Sequence, residues 1–387
     1  MKSQLTDSKT SIVTTQTEAE TSLAATELTQ AEIVRSRQEL LLSLCEALPE
    51  RLLSDQELPK TENGALLNPA AQIYSLLLPE EAKQFIRQDH ETAEGGALDS
   101  ISSSLCILDY VRTKKFTAGI KAQVKELERL KPEGEIQVVD AGCGALPILS
   151  MVAALSSDRV RVTALEQTPD SIQSANIAIS HFGLSNKITI IPADATKVNL
   201  DSKPDLIISE TLYTGFYDEP FIQIMANLVP QMSDIGRTIP DKITVELGIG
   251  TSKVASEQET ERLNVPGVSD LRRFPQITFD PKFVWQPGTP PNDIEMKFSL
   301  PFDEIKTGEK EVVFFRTRMR ISPPTQFSAE IELAPDESYI TESLCIFTLR
   351  DSALRAAEAF ANPVEGINYT ISYPPGSGDI SVKRDLY

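Results

Sequence analysis

The chain has 387 residues, 41% of them hydrophobic, enough to fill more than one buried core and too many for a chain disordered throughout. Its formal charge of −19 offers no basic field to a phosphate backbone or an anionic bilayer, which argues against nucleic acid and membrane as partners; it fits a cationic substrate and equally a surface charged for solubility, the commoner reason for an acidic chain. No apolar run approaches the ~20 residues a membrane helix needs, and the four scattered cysteines, Cys45, Cys106, Cys143 and Cys345, fit a reducing cytoplasm and form no metal-binding pair.

Residues 1–28, rich in Ser, Thr, Gln and Glu, bury too little to offset ordering entropy and read as a disordered lead-in. Ile33, Leu40, Leu41, Leu44 and Leu48 then recur near helical spacing until Pro49, which predicts an amphipathic helix. Leu/Ile/Ala-rich stretches from Asn63 to Asp89 and from Ser100 to Leu130 extend a helical region over residues 29–130. After Lys131-Pro132-Glu133-Gly134 the texture alternates strand, turn and helix, as a helix-covered parallel sheet requires, and residues 131–240 read as a Rossmann-like α/β domain. Residues 241–387 carry β-rich runs, among them Ile243 to Leu247, Val312 to Phe315, Ala329 to Leu333 and Tyr369 to Ser372, separated by prolines. They predict an antiparallel or barrel-like second domain.

Within the α/β domain, the strand Ile136 to Val139 ends in Asp140, followed by the turn Gly142-Cys143-Gly144 and a helix from Ile148. Glycines there let the backbone approach a ligand, and helix N-terminal amides can bind its polar groups. The same pattern also fits an ordinary strand-to-helix turn. The second strand, Val160 to Leu165, ends in Glu166, 26 positions after Asp140. A doubly wound fold places there the acid that receives both ribose hydroxyls. A third, Ile188 to Ile191, runs into Pro192-Ala193-Asp194, an acid placed to accept from an adenine amino group. Leu146-Pro147 stands where a dinucleotide fingerprint has its third glycine, which favours S-adenosylmethionine over NAD.

The fourth strand, Asp205 to Ile208, continues as Ser209-Glu210-Thr211-Leu212-Tyr213-Thr214-Gly215-Phe216-Tyr217-Asp218-Glu219. This segment resembles the double-glutamate loop of the protein arginine methyltransferases, with the second Glu nine positions after the first. Asp109-Tyr110-Val111-Arg112-Thr113 with Phe116 resembles that family's Arg-Thr helix, and Ile239-Pro240-Asp241-Lys242 its passage into a C-terminal β-barrel. The resemblance spans about residues 105–250 and implies a class I methyltransferase core that uses S-adenosylmethionine. It further implies that Gly142 and Gly144 receive the methionine portion, Arg112 its carboxylate, Glu166 the ribose and Asp194 the adenine amine, beside Asp140. Glu210 and Glu219 would orient an acceptor guanidine or amine nitrogen, and a homodimer is the family's habit. Tyr213 and Tyr217 flank the acidic loop and read either as walls of the acceptor pocket or as core aromatics.

The departures define a divergent member. The aromatic element that precedes the family's Arg-Thr helix reads here Leu98-Asp99-Ser100-Ile101-Ser102-Ser103-Ser104, and no histidine follows His181, so the family's Thr-His-Trp loop has no counterpart beyond Trp285. His90 and His181 are expected to be non-catalytic, and Cys143 to be a small turn residue. Three readings stay open: methylation of protein arginine, methylation of a small metabolite, and a non-catalytic binding protein that keeps the fold.

Overall fold

The strand Ile136–Ala141 (β1) is buried along nearly its whole length, on both faces rather than alternately, which places it in the middle of a helix-covered sheet. The structure, a computed structural model, describes residues 29–47, 77–86, 100–217, 219–251, 269–279, 293–301, 311–335, 337–338, 341, 344–348, 365–376 and 379–387. The expected lead-in, His90 and Trp285 lie outside the described residues. β1 pairs in parallel with β2 (Val160–Glu166) on one side and β4 (Leu206–Ser209) on the other. With β3 (Ile188–Pro192) and β5 (Arg237–Ile239) at the flanks, the parallel sheet runs β3-β2-β1-β4-β5. Strand order reverses between β1 and β4, and a crevice opens at such a switch point, at the carboxyl ends of the strands. The Rossmann-like core expected from the sequence is borne out.

Among the described residues the α-helices are α1 (Gln30–Ala47), α2 (Glu80–Lys83), α3 (Ser100–Leu105), α4 (Tyr110–Leu130), α5 (Ile148–Ser156), α6 (Pro169–His181) and α7 (Phe221–Leu228). α4 organises the molecule. Its Phe116, Ile120, Val124 and Leu127 recur at helical spacing and are buried. Asp109 caps its N-terminus, accepting from the Arg112 amide at 3.2 Å. One side of α4 packs on α5, while the other meets β9 (Glu311–Ser322) of the C-terminal region. There Gln123 Nε2 donates to Ser322 Oγ at 2.6 Å. α1 forms where the spacing of Ile33, Leu40 and Leu41 predicts it, buries Leu41 and Cys45, and finishes the C-terminus of α6: Arg37 Nη1 donates to the His181 carbonyl at 3.1 Å and Gln38 Nε2 to the Phe182 carbonyl at 2.7 Å.

Beyond Pro240 the strands are antiparallel. β6 (Lys242–Thr251) lies between β7 (Ser269–Phe279) and β9, giving the order β10-β9-β6-β7 with β10 at Ile331–Leu333; β11 (Leu344–Thr348) also pairs with β9. A second sheet runs β13-β12-β8, built from β8 (Ile294–Pro301), β12 (Gly366–Tyr373) and β13 (Ser381–Leu386). The run from Ala329 becomes strand only at Ile331, because Thr325 Oγ1 first accepts from the Phe327 and Ser328 amides and holds a turn. Pro275 sits in β7, an end strand of its sheet, where the register with β6 shifts, a place that tolerates a missing donor.

The α4–β9 contact has one unforgiving point. A Cβ built on Gly119 would lie 2.7 Å from Ile321 Cγ2. Gly119→Val is expected to destabilise the chain by about 1–3 kcal/mol in chemical denaturation, and Ile321→Ala should recover part of that loss; additive effects of the two substitutions would contradict the contact.

Candidate active site

Eight of the residues singled out by sequence meet around one cavity of about 320 Å³. Arg112 reaches it from α4, Asp140, Gly142 and Gly144 from the end of β1, Glu166 from β2, Asp194 from beyond β3, and Glu210 and Glu219 from the loop after β4. Tyr213 and Tyr217 are different. They are half-buried against the core, 6.4 Å apart between ring centroids, and are not among the residues lining the cavity, so of the two readings open for them core packing is the one the geometry favours.

The turn after β1 is built for close approach. Gly142 and Gly144 hold φ of +79° and +67°, and a Cβ on Gly142 would come within 2.6 Å of Thr211 Cγ2. The amides of Gly142 and Cys143 both donate to the Leu165 carbonyl at 3.0 Å. Glu166 then joins the two turns: one carboxylate oxygen accepts from the Gly144 amide at 2.9 Å, the other from the Gln167 and Thr168 amides at 2.8 Å each. Asp140 is buried and accepts from Ser150 Oγ at 2.6 Å. Asp194 accepts from Thr196 and from Lys197 Nζ at 2.7 Å, and these donors hold its carboxyl below the usual range against the effect of partial burial.

Arg112 and Glu210 face each other across the crevice. Arg112 Nη1 lies 2.6 Å from Glu210 Oε1, both side chains being nearly inaccessible, and Arg112 Nη2 donates to the Cys106 carbonyl. Burial pushes the Glu210 carboxyl up to about 7, the nearby Arg112 charge opposing that rise. Cys143 is buried with its thiol pushed well above the usual range, as suits a turn residue and not a nucleophile. His181 ends α6, edge-on to Phe182 and away from the cavity.

The loop from Glu210 to Glu219 is held from outside the α/β core. It doubles back through Gly215 and Phe216, both with positive φ, a strained choice for a phenylalanine. Thr317 Oγ1 of β9 accepts from the Gly215 amide at 2.8 Å, the Tyr373 hydroxyl of β12 donates to the Gly215 carbonyl, and the Gly376 amide donates to the Phe216 carbonyl at 2.9 Å. Gly376 and Gln223 line the cavity beside Glu219, and Ser103 of the serine run lines it at the glycine turn, where its Oγ accepts from the Ala145 amide at 3.2 Å. Sequence reasoning missed these residues. Ser103 alone had a signal, since it precedes the Arg-Thr helix.

Residues 98–219 match the family model of PRMT5 arginine-N-methyltransferase. That span runs from the serine segment before α4 to the second glutamate of the loop, and it bears out the resemblance to arginine methyltransferases and the class I methyltransferase core. An uncharacterized protein of Methanocaldococcus jannaschii is 25% identical over 193 residues, 49% of this chain and 69% of that protein. Among solved structures, the Trypanosoma brucei PRMT1 enzyme-prozyme heterotetrameric complex with AdoHcy is similar at 16% identity and a TM-score of 0.48, over 73% of this chain and 92% of that one. Arabidopsis thaliana protein arginine methyltransferase 10 is similar at 13% identity and a TM-score of 0.48, over 73% and 95%.

Asp140 gives a pH signature. Burial raises its carboxyl from an ordinary value of about 3.9 to about 6. Between those values the folded chain binds more protons than the unfolded one, so stability falls as pH rises through this window and levels off above it. Asp140→Asn lacks the titration. Its melting temperature relative to wild type should climb by a few degrees between pH 4 and pH 7, on the order of 2 kcal/mol; a difference that stays constant with pH would contradict the assignment.

Proposed function

We propose that the chain is an S-adenosylmethionine-dependent N-methyltransferase whose acceptor is a guanidine or amine nitrogen held between Glu210 and Glu219. The observation that carries this reading is that the acidic loop and the glycine turn line a single cavity, at the switch point of a parallel sheet. The residues present fit the cofactor. A Cβ on Gly142 would collide with Thr211, so the turn leaves bare backbone toward the cavity, and the Glu166 carboxylate, oriented by three amides, keeps a lone pair on Oε2 for a ribose hydroxyl. In this reading Gly142 and Gly144 take the methionine portion, Arg112 its carboxylate, Glu166 the ribose and Asp194 the adenine amine, with Asp140 beneath the turn.

When bound, S-adenosylmethionine supplies an electrophilic methyl group on a sulfonium. The chain's own residues supply orientation and a matched field. Arg112 and Glu210, paired internally at 2.6 Å, exchange that pair for two ligand pairs, a carboxylate on Arg112 and a cation on Glu210. A guanidinium is too basic to lose its proton beforehand. Because burial favours the neutral form of Glu210, its carboxylate can receive that proton as the nitrogen is alkylated.

Two variants test the assignment. Glu166→Ala should weaken S-adenosylhomocysteine binding at least about tenfold by calorimetry, through loss of the hydrogen bond to the ribose and of the tie between the two turns. Glu210→Gln should leave that affinity undiminished while lowering turnover by about 10²–10³-fold. Unchanged affinity in the first or unchanged turnover in the second would sink the corresponding role.

A further inference from the structure

Gln223, in the first turn of α7, carries a feature the reaction above does not use. Its Nε2 donates to the Pro375 carbonyl at 2.5 Å. Since that partner can only accept, the orientation of the carboxamide is fixed, and Oε1 is the atom left over. Oε1 is buried and has no hydrogen-bond partner, although Gln223 lines the cavity. A desolvated carbonyl oxygen without a donor is a cost that folding normally avoids, and an oxygen left so at the wall of a cavity points to a donor arriving with a ligand.

The position of that oxygen identifies the donor. Gly376, at φ +73° in the Pro374-Pro375-Gly376 turn after β12, packs so closely that a Cβ there would lie 2.8 Å from Gln223 Nε2, 3.2 Å from Oε1 and 3.2 Å from the Glu219 carbonyl. The carboxamide therefore stands next to the backbone of Glu219, the second glutamate of the acidic loop. A monosubstituted guanidinium brings five N–H donors, of which two carboxylates can engage at most four. A neutral oxygen fixed beside Glu219 takes the remaining one without adding a third negative charge.

We infer that Gln223 is an acceptor-binding and specificity-determining residue: its Oε1 receives an N–H of the acceptor, and the Pro375-Gly376 turn holds it in place. The inference rests on the guanidine reading of the same site. It explains why a turn some 150 residues further along the chain is brought against α7. An acceptor that presents only a lone hydroxyl to the two glutamates leaves Oε1 unmet, so the carboxamide discriminates in favour of nitrogen cations with several donors.

The test uses the full chain loaded with S-adenosylhomocysteine and a fluorescent arginine-containing peptide, with binding read by anisotropy. Gln223→Leu should weaken the peptide about tenfold or more with the affinity for S-adenosylhomocysteine unchanged, while Gln223→Glu, which keeps an acceptor oxygen but loses the tether to Pro375, should weaken it distinctly less, by about threefold to fivefold. Wild-type affinity in Gln223→Leu would overturn the inference. So would a Gln223→Glu variant as weak as Gln223→Leu, since the tether to Pro375 would then be all that matters, and so would a parallel loss of S-adenosylhomocysteine binding. A wild-type chain that binds S-adenosylhomocysteine but neither binds nor methylates the peptide would overturn the guanidine reading itself, and with it the role of Gln223.

Discussion

The buried ion pair between Arg112 and Glu210 is the constraint on which the site depends. Taking two charges out of water is costly, and the pair is tolerable only at short range with its remaining donors satisfied, as the Cys106 carbonyl does for Arg112. Removing either partner would strand the other, a loss of roughly 3–5 kcal/mol for such pairs. The geometry is therefore secured from several sides. Asp109 fixes the first turn of α4 and also accepts from the Ser338 hydroxyl in the connection between β10 and β11. The C-terminal region thus steadies the helix that carries Arg112. Through Thr317, Tyr373 and Gly376 it also shapes the loop that carries Glu210 and Glu219.

Around that pair the molecule concentrates negative charge at the carboxyl ends of a parallel sheet, and it does so by two different means. Glu166 accepts from backbone amides of the two turns it joins. Asp140 and Glu210 are pushed toward their neutral forms by burial, with one hydroxyl and one guanidinium respectively to offset it. A cavity with this mixture suits a ligand carrying both a diol and a cationic centre, and the overall charge of −19 points the same way.

What the sequence made legible follows from locality. Four of the five parallel strands are short, largely apolar and carry an acid at or just past their carboxyl ends, so Asp140, Glu166, Asp194 and Glu210 could be placed there without any knowledge of packing. Tyr213 and Tyr217 show the limit. Two tyrosines beside an acidic loop look alike in sequence whether they face a pocket or a core; in the fold both are packed, half-buried, against the core. Gln223 and Gly376 were not legible because each acquires its role from the other, across some 150 residues of chain. β8 shows a strand signal of its own: Ile294, Met296, Phe298 and Leu300 alternate with polar residues, as in a half-buried strand.

The central claim is that methyl is delivered to nitrogen at the acidic loop. It is tested most directly by incubating the full chain with methyl-labelled S-adenosylmethionine and an arginine-containing peptide, then locating the label by tandem mass spectrometry. The account predicts label on a guanidine nitrogen. Label confined to hydroxyl, sulfur or carbon acceptors offered alongside, or bound cofactor with no transfer to any nitrogen acceptor, would contradict it.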